Sequence, residues 1–184
     1  MKVLVIILII VAVLVLAGVL LYNGLIRRRN QVENAWAQID VQLKRRLDLI
    51  PNLVETVKAY AAHERETLDA VINARNQAMA APSTPAAQGA ADTQLTGALR
   101  QLFALSEAYP DLKANQNFLA LQEELTATEG RVAYARQFYN DSVLTYNTKL
   151  DQFPTMFFAR MLHFSRREYF EADESARQAP KLQF

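Results

Sequence analysis

From Val3 to Ile26 the chain is built mostly of Val, Ile, Leu and Ala, with no charge and with Tyr22 and Asn23 as its only polar side chains. A helix of about 20 apolar residues crosses a bilayer core, so this run is long enough to span one. It is closed at once by Arg27, Arg28 and Arg29. A soluble core helix rarely has an uncharged run of this length at one end of the chain followed by three arginines. A secretory signal peptide has a shorter apolar region, a basic start and a small-residue cleavage site. Here only Lys2 precedes the run, and Leu20, Leu21, Tyr22 and Asn23 make a poor cleavage motif. Residues 1–26 are therefore expected to be a short N-terminus and an uncleaved transmembrane helix. The positive-inside rule places the arginine end in the cytoplasm and the N-terminus outside. At that interface Arg27, Arg28 and Arg29 are expected to meet acidic lipid headgroups, at roughly 1 kcal/mol each.

The remainder is the size of one domain and is electrically balanced, with 19 acidic residues and, once Lys2 is set aside, as many basic ones. Nucleic-acid binding without sequence preference needs an excess of positive charge, so no nucleic-acid partner is expected. There is no cysteine. Disulfides, thiolate metal sites, lipidated cysteines and cysteine nucleophiles are excluded.

Past the arginines, apolar residues return at helical spacing through Val32, Trp36, Ile39, Leu43, Leu47, Ile50, Val54, Val57, Ala61, Leu68 and Val71. This predicts a long amphipathic helix over residues 30–80, continuous with the membrane span. Pro51 predicts a kink or short break near Ile50, because proline removes a backbone donor and crowds the preceding turn. Arg45 and Arg46 are placed to reach another helix. The stretch AAPSTPAAQGAA, about residues 80–92, reads as a linker, with Asp92 or Thr93 available to cap a helix over 93–108. A second long helix is predicted from Phe118 to Phe153. Its inward stripe is Leu121, Leu125, Thr128, Val132, Ala135, Tyr139, Val143, Tyr146, Leu150 and Phe153. A last helix is expected from Thr155 to about Arg177, then a tail at 179–184. The fold class that follows is all-α: an N-terminal transmembrane helix, then an elongated antiparallel bundle of four-helix type over 27–178.

The chain lacks a phosphate-binding glycine loop, a nucleophile elbow and a dinucleotide fingerprint. His63 stands beside Glu64, but the only other histidine is His163, and neither belongs to a His-Glu-x-x-His or Glu-x-x-His motif. No catalytic residue, metal site or cofactor is expected. Trp36, the single tryptophan, is read as a core residue between helices, with a membrane-interface or partner contact as the other reading.

Several blocks stand out along the chain: Tyr22-Asn23 with Asn30, Ala35-Trp36, and IDVQLKRRLDLIPNLVETVKAYAAHE from Ile39 to Glu64. Further on come Tyr109-Pro110, Asn117-Phe118, Ala135-Arg136, Tyr139-Asn140, Tyr146-Asn147, Phe153-Pro154 and Tyr169-Phe170-Glu171. Together these blocks resemble the bacterial LemA family over nearly the whole chain. The resemblance implies an exterior N-terminus, one transmembrane helix and a cytoplasmic helical bundle, with no established enzymatic reaction. The leading expectation is a structural or protein-interaction protein of the cell membrane. Its partners would be the lipid bilayer and an unknown membrane or cytoplasmic protein, with self-association as a further possibility. A sensor or regulatory adaptor of a membrane protease or signalling complex is the alternative, and a metal-dependent hydrolase a remote one. Tyr109, Asn117, Tyr139, Asn140, Tyr146 and Asn147 are expected either to form buried hydrogen-bond links between helices or to expose a polar–aromatic docking face.

Overall fold

The computed structural model describes residues 1–170. Among them the secondary structure is entirely helical, in agreement with the all-α expectation. The elements are α1 (Lys2–Lys58), α2 (Arg65–Ala80), α3 (Pro85–Ser106), the single turn α4 (Pro110–Lys113), α5 (Gln116–Asp151) and the short α6 (Thr155–Met161). This order is richer than the simple four-helix set expected. The described chain forms two compact units, Met1–Ala37 with Gln137–Tyr169, and Gln38–Arg136 with Phe170. Chain segments from both α1 and α5 belong to each.

The second unit carries the larger apolar core. Ile50, Leu53 and Val57 of α1, Leu68 and Val71 of α2, Leu95, Leu99 and Leu102 of α3, Leu112 of α4, and Phe118 and Leu125 of α5 are buried together. These positions recur at three- and four-residue steps, so each helix gives one stripe to a shared interior. Arg45 lies 2.7 Å from Glu124, whereas Tyr60, later in the chain, accepts a hydrogen bond from Asn115, earlier in it. Within this unit α1 and the start of α5 are therefore antiparallel.

Of the kink or short break expected near Ile50, the break is not formed: α1 runs through Pro51 to Lys58. Proline at position 51 removes the N–H that would bond the carbonyl of Leu47, four residues earlier. Arg75 Nε, from α2, donates to that same carbonyl at 3.0 Å. A side chain thus replaces the missing backbone donor, and the polar group left by the proline is satisfied. The real interruption comes at Ala59–Glu64, where no proline or glycine marks it. Here the chain turns with Tyr60 and Ala61 N–H groups donating to Val57 O at 3.0 and 2.8 Å. The expected single helix over 30–80 is therefore α1 followed by α2.

The alanine-rich stretch is shorter as a loop than its composition suggests. Only residues 81–84 lie outside the helices, and from Pro85 the stretch is α3. Thr84 caps α3 by accepting from Ala87 N–H at 3.4 Å, and Pro85 fits the first helical position, where its missing N–H costs nothing. Thr84 and Pro85, rather than Asp92 or Thr93, start this helix.

The last helix also ends sooner than expected, at Met161 rather than near Arg177. The N–H groups of His163 and Phe164 close back onto Arg160 O and Ala159 O at 3.3 and 2.9 Å, with His163 at φ 57°. This is a Schellman closure with histidine in the left-handed position usually held by glycine. Residues 164–170 then run without regular structure. The expected tail at 179–184 lies outside the described residues.

Candidate functional site

Three groups of polar residues stand out once the core is placed. The first is a buried ion network in the second unit. Arg46 lies on the inward stripe of α1 between Leu43 and Ile50 and is only 2% exposed. Its Nη1 donates to Asp92 Oδ1 at 2.6 Å, and Glu129 Oε2 lies 3.7 Å from its Nη2. Arg136, from α5, donates to the other oxygen of Asp92. One carboxylate on α3 therefore joins guanidinium groups from α1 and α5. The Arg136 guanidinium also stands over the ring of Phe170, 4.5 Å from its centroid. The same ring lies against Gly89 on α3, where an added Cβ would approach it to 3.1 Å. Glycine here lets an aromatic ring sit close to the helix.

The second group, in the first unit, uses neutral donors. Tyr139, Tyr146 and Asn147 fall on one face of α5, at separations of seven and eight residues, and all three are buried. Their partners are backbone groups of the irregular segment after α6. Tyr146 OH donates to Ser165 O at 3.1 Å, and Tyr139 OH donates to Glu168 O at 2.9 Å. The Asn147 amide makes a reciprocal pair, donating to Arg167 O at 2.9 Å and accepting from Arg167 N–H at 3.0 Å. These bonds do what a neighbouring strand would do for an extended chain. Burial raises the pKa of both phenols above the usual value. The cation of Arg167 opposes the rise at both, and that of Arg29 does so at Tyr146. Both hydroxyls thus remain donors at neutral pH. Trp36 packs edge-on against Tyr139, with ring centroids 5.4 Å apart.

The third group surrounds the turn after α1. Tyr109 OH donates to Glu64 Oε1 at 2.8 Å, and this bond is the main reason its pKa is raised. Asn115 caps α5 by accepting from Phe118 N–H at 3.0 Å, and its amide donates to Tyr60 OH at 2.9 Å. An open depression beside these contacts is lined by Asn52, Glu55, Tyr60, Asn115 and Asn117. Asn117 is exposed there, on the first turn of α5.

The structure therefore divides the polar residues singled out from sequence. Tyr139, Tyr146 and Asn147 hold an irregular segment, Tyr109 holds a turn, Asn117 faces solvent, and Asn140 is half-buried. The bonds of Tyr109, Tyr139, Tyr146 and Asn147 go to a turn and to the irregular segment rather than to other helices. Arg27 and Arg28 are exposed, Arg28 bonding Gln31 at 3.2 Å, and Arg29 lies 3.7 Å from Glu33. His63 sits in the turn rather than in a helix, and it is exposed. Among the described residues no group of three or more His, Asp or Glu side chains is arranged to hold a metal ion. Sequence reasoning missed the pairing of Arg46 with Asp92 and Arg136, the cap at Asn115 and the role of Arg75. The signal for the first was a charge falling on each of two apolar stripes: Arg46 among Ile39, Leu43 and Ile50, and Asp92 among Leu95, Leu99 and Leu102.

Comparison with known proteins agrees with this picture. A model of the LemA family matches residues 35–184. Protein LemA of Metamycoplasma hominis is 27% identical over 158 residues, which cover 84% of this chain and 71% of the relative. Magnetosome protein MamQ of Magnetospirillum gryphiswaldense is 25% identical over 174 residues, covering 81% of this chain and 64% of that protein. Magnetosome protein MamQ 1 of Paramagnetospirillum magneticum is also 25% identical, with 82% and 64% covered. This chain thus spans less than two thirds of the MamQ proteins. With a family match that takes in the ion network, the Tyr139–Asn147 face and the segment they hold, the chain belongs to the LemA family.

Proposed function

We propose that this chain is a membrane-anchored structural or protein-interaction protein, with its N-terminus outside and its helical domain in the cytoplasm. One observation carries the anchoring. The most apolar window of α1 has no residue buried by the rest of the protein, whereas from Leu25 onward the same helix buries Val32, Ala35, Ile39 and Leu43. An apolar helix face with no protein cover is stable when lipid covers it. The helical domain spends its strongest polar groups on itself. Arg46, Asp92 and Arg136 pair in the interior, and Tyr139, Tyr146 and Asn147 bind backbone. That leaves exposed surface, not a reactive cavity, as the means of action. The depression around Asn117 and Tyr60 is a surface suited to receive a protein partner, because it sets the exposed Asn117 amide beside apolar Leu121.

Photo-crosslinking from position 117 in intact membranes tests the interaction role, with position 44 as an exposed reference on α1. The expected result is a discrete adduct with another protein at 117 and none at 44. Equal or absent adducts at the two positions would contradict it. An Asn117→Cys variant tests orientation, since the chain has no other cysteine. A membrane-impermeant maleimide should leave it unlabelled in intact cells and label it after lysis. Labelling in intact cells would reverse the assigned topology.

A further inference from the structure

We infer that the segment Phe153–Leu162, which contains α6, is a second membrane contact, lying in the leaflet on the arginine side of the span. The inference rests on the anchor reading above. Phe158 of α6 packs over Gly18, where an added Cβ would stand 3.4 Å from its ring. Phe164, just after α6, meets Tyr22 edge-on, with centroids 6.1 Å apart. Gly18 precedes Arg27 by nine residues, or about 13 Å of helix at about 1.5 Å per residue. The headgroup region is only about 5–8 Å deep on each side of the hydrocarbon. A helix seated against Gly18 therefore lies at the level of lipid, not of bulk water.

The outer face of α6 has the composition that this position requires. Phe157 and Met161, with Phe153 in the turn just before the helix, recur every fourth residue and are 58%, 66% and 79% exposed. Leu162 beside them is also exposed, at 43%. The inner face, Thr155, Phe158 and Ala159, is turned into the protein. α6 contains no acidic residue, and the nearest one in sequence, Asp151, is paired with Arg166. Arg160 is exposed on α6, as are Arg27 and Arg28 after the span. Large apolar side chains with arginines at the rim match the boundary between acyl chains and anionic headgroups.

The absence of cysteine allows a direct test on the full chain in vesicles of phosphatidylcholine and phosphatidylglycerol. Spin labels would be placed singly through Phe157→Cys and Met161→Cys, with Ile10→Cys as a mid-span reference and Tyr134→Cys as an exposed aqueous reference. Accessibility to oxygen, which partitions into lipid, is compared with accessibility to a water-soluble nickel chelate. The inference predicts an oxygen-to-nickel ratio several-fold higher at 157 and 161 than at 134. A ratio at both sites equal to that at 134, with Ile10 still lipid-exposed, would overturn the inference and leave the anchor standing. Shielding of both sites from both reagents would overturn it in favour of a protein contact, such as a second copy. Water access at position 10 as well would overturn the anchor reading itself.

Discussion

The two compact units solve the problem of buried polarity in different ways. In the unit built on Gln38–Arg136, charges are buried and matched, with Asp92 shared between Arg46 and Arg136. In the unit that contains the N-terminal apolar helix, Tyr139, Tyr146 and Asn147 are buried neutral groups, and they bind backbone rather than other side chains. The difference follows from what each must hold. Helices satisfy their own backbone, so a link between helices is free to use side-chain charges that fix their register. An irregular segment such as Phe164–Phe170 has no internal ladder. Its carbonyls and N–H groups must be met from outside, and Tyr139, Tyr146 and Asn147 meet those of Ser165, Arg167 and Glu168.

This contrast predicts a ranking of mutational costs, each readable by thermal or denaturant unfolding of the detergent-solubilised full chain. Asp92→Ala should be the most damaging, at about 3–5 kcal/mol, because it leaves Arg46 without its close partner in the core. A cost under about 1 kcal/mol would show that Glu129 or water can replace it. Asn147→Ala should come next, at roughly 2–4 kcal/mol, since it orphans both backbone groups of Arg167 at once. Its damage should fall on the segment after α6, seen as faster amide exchange there. Uniform loss of protection would break the contrast between the two units.

Arg75→Ala should cost about 1–3 kcal/mol through the orphaned Leu47 carbonyl. In a Pro51→Ala background position 51 regains its backbone N–H, so the cost of losing Arg75 should shrink. Additive effects in that double-mutant cycle would refute the substitution of side chain for backbone. Tyr139→Phe should be the mildest, at about 1 kcal/mol, and it carries a pH signature. Burial raises the phenol pKa of Tyr139 and Tyr146 in the folded state. Their contribution is therefore complete below the unfolded value of about 10 and lost as pH rises through the higher folded values. Tyr139→Phe should flatten the fall in stability above about pH 10. An unchanged alkaline profile would remove Tyr139 from this role.

Much of the fold was legible because helical stripes are periodic. All of the inward α5 positions named from sequence are buried or half-buried except Phe153, which lies past the helix end. Phe153 was misread because an apolar residue at the right spacing signals burial, whether the cover is protein or, as we infer here, lipid. The break at Ala59–Glu64 was not legible, because local propensity favours helix there. What stabilises the turn is distant in sequence: Tyr109 on Glu64 and Asn115 on Tyr60. The continuity of α1 past Pro51 was hidden for the same reason, since its remedy, Arg75, lies on the next helix. Tyr139, Tyr146 and Asn147 could be singled out, but their partners are backbone atoms of a segment that the sequence presents as helix.

If lipid covers the apolar face of α1 that protein leaves bare, the chain is embedded in the bilayer and not merely attached to it. Alkaline carbonate washing of membranes from cells expressing the full chain tests this most directly, because it strips proteins held by charge or by a partner but not those embedded in lipid. The chain should stay in the membrane pellet. Its release into the supernatant would rule out anchoring by lipid.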